Sequence, residues 1–132
     1  MAQILVLDDV LDAAIMIRKI LERKGHTTHI FDDEDKALRF VDHHPLDLAI
    51  LDVKLRKMDG IDVLREIKKR NPAVRIIVLT GYPTVDAARR ALTMGAYAYC
   101  AKPIDKDELE TKVAEALGAP LTAMPDNGST SG

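Results

Sequence analysis

Five residues in this sequence carry side chains suited to a single reaction. Asp8 and Asp9 follow the apolar run Ile4-Leu5-Val6-Leu7, and Asp52 follows Leu48-Ala49-Ile50-Leu51. Thr80 follows Ile76-Ile77-Val78-Leu79, and Lys102 follows the stretch Tyr97 to Ala101. A carboxylate is a competent covalent nucleophile toward phosphorus. An incoming phosphoryl group spreads negative charge over three oxygens. An ammonium, a hydroxyl, backbone N–H groups and a metal ion can share that charge. Three carboxylates gathered in one place also repel. At about 4 Å and an effective dielectric near 20, each pair costs roughly 4 kcal/mol. A hard divalent cation held by oxygen ligands relieves the repulsion, and Mg²⁺ suits a site with few protein ligands. Without a metal the three acids would titrate as one coupled set.

Whether these residues meet depends on the elements that carry them. Ile4 to Leu7 reads as a buried strand. Asp12 to Lys24 then shows helical spacing in Ala13, Ile17, Ile20 and Leu21, with Gly25 placed to close the helix. Thr27 to Phe31 reads as a β-branched strand, and Asp33 to Val41 as a helix with Ala37, Leu38 and Val41 on one face. Leu48 to Leu51 is the third strand. Ile61 to Arg70 is the third helix, stopped by Asn71-Pro72. Ile76 to Leu79 is the fourth strand, Thr84 to Met94 a helix ending at Gly95, and Tyr97 to Ala101 the fifth strand. Asp105-x-x-Glu108 has the form of a capping box opening a last helix, with Leu109, Val113, Ala116 and Leu117 inward.

Five βα units with near-continuous apolar strands imply an α/β fold with a five-stranded parallel sheet covered on both faces. Right-handed crossovers make it a doubly wound (βα)5 fold, for which five strands suggest the flavodoxin-like order 2-1-3-4-5. In such sheets ligands bind at the carboxyl ends of the strands. That is where Asp8, Asp9, Asp52, Thr80 and Lys102 fall. Residues 1–117 are read as one domain. Residues 118–132 lose periodicity and gain Gly, Pro, Ser and Thr, and are read as a flexible tail or linker.

Composition narrows the function. The 132 residues are 47% hydrophobic and 30% charged, which suits a globular domain with a real core. The formal net charge is -2 and no basic stretch is of the kind that binds nucleic acid through counterion release, so direct nucleic-acid binding is not expected. Cys100 is the only cysteine, which excludes an intramolecular disulfide and favours a small core residue over a redox site. No run is long enough for a membrane span, and a cytoplasmic location is expected. His43-His44 before Pro45 reads as a solvated loop, and His26 and His29 around the second strand lack further metal-binding residues. Arg89-Arg90 reads as the exposed side of the fourth helix.

Taken singly, the five residues have ordinary explanations. Asp8 and Asp9 could cap a helix, and Asp52 or Thr80 could occupy turns. Lys102 could be a solvated charge. Four such coincidences at four strand ends are far less economical than one site.

The motifs also resemble a known family. Leu5-Val6-Leu7-Asp8-Asp9, Leu51-Asp52, Met58-Asp59-Gly60, Leu79-Thr80-Gly81-Tyr82, Gly95-Ala96 and Lys102-Pro103 look, in that order, like the motifs of response-regulator receiver domains. Thr80-Gly81-Tyr82 resembles receivers attached to sigma-54 activators. The resemblance implies a phosphoacceptor module of a two-component system, charged by a sensor histidine kinase or a phosphotransfer protein. It implies Asp52 as phosphoacceptor and Asp9 as a direct Mg²⁺ ligand, with Asp8 acting partly through water and the backbone carbonyl of Lys54 as a further ligand. Thr80 would bind the phosphoryl group and act as the switch hydroxyl, Lys102 would pair with phosphoryl oxygens, and Tyr99 would be the aromatic switch. The Lys102-Pro103 bond would be cis, which proline allows at small cost. The output would be a repacked surface of fourth helix, fifth strand and fifth helix, leading to a homodimer or to release of a fused effector. Such a domain is no enzyme in the metabolic sense, since it catalyses only its own phosphorylation and dephosphorylation.

One position departs from the family's common pattern: Arg56 stands where many receivers have proline, in a stretch that also holds Lys54 and Lys57. Lys54 is expected to alter the lifetime of the phosphoryl group or the kinase contact. Three other readings remain. A Mg²⁺-dependent phosphatase of haloacid dehalogenase type shares the aspartate, hydroxyl and lysine, but needs an acid where Lys54 stands. A flavin-binding electron carrier would need a hydroxyl- and glycine-rich loop where Asp8-Asp9 stand. A degenerate receiver would bind partners without phosphorylation.

Overall fold

The computed structural model describes residues 1–53 and 59–118. Its elements alternate strictly: β1 (Gln3–Leu7), α1 (Leu11–Arg23), β2 (Thr27–Phe31), α2 (Glu34–His43), β3 (Leu48–Leu51), α3 (Gly60–Arg70), β4 (Arg75–Thr80), α4 (Val85–Thr93), β5 (Ala98–Ala101) and α5 (Lys106–Gly118). The five strands form one parallel sheet in the order β2-β1-β3-β4-β5, the expected doubly wound α/β arrangement.

Side-chain alternation along the central strands divides the core in two. Leu5, Leu7, Ala49, Leu51, Ile76 and Val78 face α2, α3 and α4. Ile4, Val6, Leu48, Ile50, Ile77 and Leu79 face α1 and α5. All twelve are buried, as a sheet covered on both faces requires. The helices fill the two layers unequally. α3 buries Ile61, Val63, Leu64 and Ile67, whereas α4 buries Ala91 alone.

Most boundaries fall within a residue or two of expectation, and the differences have local causes. Asp33 and Thr84, expected inside helices, stand at N-cap positions, accepting from the N–H of Lys36 and Ala87 at 3.0 Å each. α1 starts one residue early, at Leu11. Val10 stands at its N-cap with no side-chain cap, and its N–H donates to Asp8 Oδ1 at 2.9 Å. α2 runs past Val41, so His43 is helical and not in a loop; its ring Nδ1 meets the Arg39 carbonyl at 2.8 Å. Lys24 stands just beyond α1, and Gly25 and Gly95 follow their helices at φ +90° and +105°. β5 begins at Ala98, leaving Tyr97 outside it and exposed. Asp105 Oδ1 accepts from the Glu108 N–H at 2.8 Å, as the capping sequence implies.

Strand register delivers the polar residues to one edge. Leu7 pairs with Leu51, Leu51 with Val78, and Thr80 with Ala101. Asp8 and Asp52 thus leave neighbouring strands side by side, while Lys102 leaves β5, two strands from β3 and three from β1. The last rungs hold this edge: Asp8 N–H donates to Phe31 O at 3.1 Å, Asp52 N–H to Leu7 O at 3.0 Å, and Lys102 N–H to Thr80 O at 2.7 Å.

Candidate phosphoacceptor site

The three acids do meet. Asp8, Asp9 and Asp52 each offer a carboxylate oxygen, and these atoms lie within 4.8 Å of one another. Asp8 and Asp52 are buried, and Asp9 is half-buried. Asp8 is fixed from two sides: Oδ1 accepts from the Val10 N–H, and Oδ2 from the Lys102 ammonium at 2.6 Å. The same ammonium reaches Asp52 Oδ2 at 3.2 Å. Lys102 crosses above the end of β4 to do so, joining β5 to β1 and β3.

The charge of Lys102 is secure. Burial pulls its pKa down, but its hydrogen bond to Asp8, the charges of Asp8 and Asp52 and its hydrogen bond to Asp52 outweigh that, and the net shift is upward. One ammonium offsets only one of three carboxylate charges. At separations under 5 Å the remaining repulsion is about 3–4 kcal/mol per pair. An all-oxygen acidic set with surplus negative charge fits a hard divalent cation such as Mg²⁺.

Thr80 ends β4 and is fully buried; its Oγ1 accepts from the Tyr82 N–H at 3.0 Å. Tyr99, half-buried on the edge strand β5, accepts from the Thr84 N–H through its hydroxyl at 3.3 Å. The β4–α4 connection is therefore tied near its start by Thr80 and at its end by Tyr99. The Lys102–Pro103 peptide bond is cis. Lys54, Arg56 and Lys57 lie outside the described residues, so the structure does not place the expected Lys54 carbonyl.

Three features escaped the sequence reading. The Tyr99–Thr84 tie joins a side-chain hydroxyl to a backbone N–H across fifteen residues, with no local signal. An apolar hollow of about 480 Å³ opens beside Lys102, lined by Ala13, Met16, Ile17, Leu79, Pro103 and Ile104; only assembled topology creates it. Gly60 is pressed against the backbone of Asp52, and the Asp59-Gly60 pair was its only trace. The histidines are structural: His26 Nδ1 accepts from the Ala2 N–H at 3.2 Å, and His29 Nε2 lies 3.0 Å from Gln3 Oε1. Cys100 is buried, and burial pushes its thiol pKa up. Arg89 and Arg90 are exposed. Among the described residues no helix is long and apolar enough to cross a membrane.

Comparison with known proteins agrees with this geometry. The family model for the response regulator receiver domain matches residues 4–114. Transcriptional regulatory protein ZraR of Escherichia coli (strain K12) is 36% identical over 114 residues, covering 86% of this chain and 26% of ZraR. The chain thus spans about a quarter of that relative's length. A CheY-like receiver domain from Methanospirillum hungatei JF-1 superposes with a TM-score of 0.86 at 30% identity, covering 89% of this chain and 94% of that one. The beryllofluoride-activated NtrC4 receiver domain dimer gives a TM-score of 0.85 at 27% identity, covering 89% and 97%. Matching motifs, fold and acidic cluster make one case: the chain belongs to the response regulator receiver domains of two-component systems.

Proposed function

We propose that Asp52 is the phosphoacceptor of this receiver. The observation that supports it best is the joint placement of three carboxylate oxygens within 4.8 Å and the Lys102 ammonium between Asp8 and Asp52. A carboxylate oxygen of Asp52 attacks the phosphorus of a phosphohistidine. The P–N bond breaks, the imidazole leaves with its electron pair and takes a proton, and an aspartyl phosphate remains. Water attack on that phosphorus returns the carboxylate and inorganic phosphate. These two self-directed reactions are the domain's own chemistry.

Asp9 would hold Mg²⁺ directly and Asp8 partly through water, with Asp52 and the backbone carbonyl of Lys54, which lies outside the described residues, as the other protein ligands. The ion would supply charge neutralisation to the phosphoryl oxygens. Lys102 turns from Asp8 toward the phosphoryl group, which replaces one anionic partner with another. Thr80 gives up the Tyr82 N–H and donates its hydroxyl to a phosphoryl oxygen. Tyr99 then follows inward, releasing the Thr84 N–H. That repacks α4, β5 and α5, because the phosphoryl group favours whichever state gives it more contacts.

The donor is a sensor histidine kinase or phosphotransfer protein in the cytoplasm. The hollow beside Lys102 gives such a partner apolar surface adjoining the acceptor. The output is a homodimer through α4, β5 and α5, in keeping with the activated NtrC4 receiver dimer. The effector is a domain fused downstream, as the greater length of ZraR suggests. The receiver extends to Gly118, the last residue of α5 and one beyond the expected 117, and the connecting segment is 119–132, which lies outside the described residues.

Acetyl phosphate with Mg²⁺ tests the proposal. The expected result is an intact-mass gain of one phosphoryl group, labile to base and absent in Asp52→Asn. No gain in the wild-type protein, and no Mg²⁺-dependent spectral change, would refute it and favour a phosphorylation-independent receiver. Decay of the labelled species should also differ in Lys54→Ala; an unchanged rate removes any role of Lys54 in phosphoryl lifetime.

A further inference from the structure

We infer that Gly60 is a positioning residue for the Asp52 carboxylate: its bare Cα lets the start of α3 seat against the backbone that aims the acceptor. The inference rests on the reading of Asp52 as the acceptor and adds what holds it in place. The chain leaves β3 at Asp52 and returns at Gly60, whose N–H donates to the Val53 carbonyl at 2.8 Å. A Cβ on Gly60 would overlap the Asp52 carbonyl oxygen and would stand 2.8 Å from both Asp52 C and Val53 Cα. Real Cβ atoms essentially never come that close to backbone. All three atoms belong to the main chain, so no rotamer change relieves the overlap.

Neither side has slack. On the helix side, Asp59 caps α3 by accepting from the Ile61 N–H at 2.8 Å. Ile61, Val63, Leu64 and Ile67 are all fully buried. Moving α3 outward by a methyl radius would open voids along the whole helix, and close-packed interiors resist that. On the strand side, Asp52 is held by its N–H on Leu7 O and by Lys102 on its carboxylate. The shorter path is a shift of the Asp52–Val53 main chain. That shift moves the carboxylate relative to Asp8 and Asp9, which follow a different strand, β1. About 1 Å of misplacement costs in-line attack on the order of 100-fold in rate, and disturbing the groups that orient a metal's ligands costs about 10- to 100-fold in affinity.

The test compares Gly60→Ala with Ile67→Val, which loosens the same helix far from the acceptor. In the folded Gly60→Ala protein the Mg²⁺ dissociation constant should rise about 10- to 100-fold, and the amide resonances of Asp52 and Val53 should shift without metal. Ile67→Val should lower the melting temperature yet leave Mg²⁺ affinity and those resonances at wild-type values. Wild-type affinity and wild-type resonances in Gly60→Ala would overturn the inference, as would equal loss of affinity in Ile67→Val. Should Gly60→Ala fail to fold, amide exchange in the wild-type protein decides. Strong protection of the Gly60 N–H sustains the contact; exchange at the rate of an open loop refutes it. A wild-type protein that binds no Mg²⁺ would sink the phosphoacceptor reading, while the metal-free resonances and the exchange rate would still judge Gly60.

Discussion

Lys102 carries the heaviest load of any single side chain here. It reaches buried Asp8 and Asp52 from a strand adjacent to neither, so its removal takes from both their shared counter-charge. Lys102→Ala should therefore keep Mg²⁺ binding, because the acids remain, yet lose switching, because no ammonium meets the phosphoryl oxygens. Beryllofluoride titration followed by amide shifts in α4 would show it, and full switching in the variant would refute the assigned role. The pairing also sets a pH dependence. The folded-state pKa of Lys102 is raised above the ordinary 10.5. Its contribution to stability is thus complete below that value and disappears as pH rises through the raised one. The stability difference between wild type and Lys102→Met, measured by denaturation, should hold steady from pH 7 to 9 and shrink only in the strongly alkaline range. A difference that already falls between pH 7 and 9 would contradict the pairing.

Among the elements, α4 is held least firmly. It buries Ala91 alone and depends on its ends: Thr84 caps it, and the Tyr99 hydroxyl accepts from the Thr84 N–H. Thr84→Ala should cost about 1 kcal/mol, the usual worth of such a cap. The loss should appear as faster amide exchange in the first turn of α4 and leave α3 unchanged. Tyr99→Phe keeps the ring and removes the acceptor, so the Thr84 amide should exchange faster in the unphosphorylated protein. An unaltered Thr84 rate would show that the tie does not form in solution. These contacts also mark the limit of what the sequence disclosed. Apolar runs such as Ile76 to Leu79 are buried on both faces and announce themselves by composition, so the strands were legible; their order followed only from the doubly wound fold that five βα units suggest. Helix starts were less so, because Asp33 and Thr84 favour a cap as readily as a first turn. The site's members were legible because each sits where a strand ends; their distances were not, because register and side-chain reach decide them. The Tyr99–Thr84 tie had no sequence period to betray it.

At the scale of the molecule, one sheet edge gathers negative charge that folding alone must tolerate. Any cation bound there favours the folded state by mass action, by about 2.7 kcal/mol at a hundredfold excess over its dissociation constant. The melting temperature should rise with Mg²⁺ concentration in the wild type and respond far less in Asp9→Asn. An equal rise in both would place the ion elsewhere. The family assignment also disposes of two rival readings, a metabolic phosphatase and a flavin carrier: the flavin carrier shares the strand order but not the Asp8-Asp9 pair after β1, and the phosphatase needs an acid where Lys54 stands.

The shallow seat of α4 has a consequence for descent. Val85 and Leu92 are exposed on a helix that contributes one residue to the core. Substitutions along its outer face therefore carry little folding penalty, whereas those along α3 disturb a filled interior. Duplicate copies of such a chain can diverge in the company they keep through α4 while β1, β3 and α3 preserve the chemistry. Selection for new signalling pairs would find its raw material on that face first.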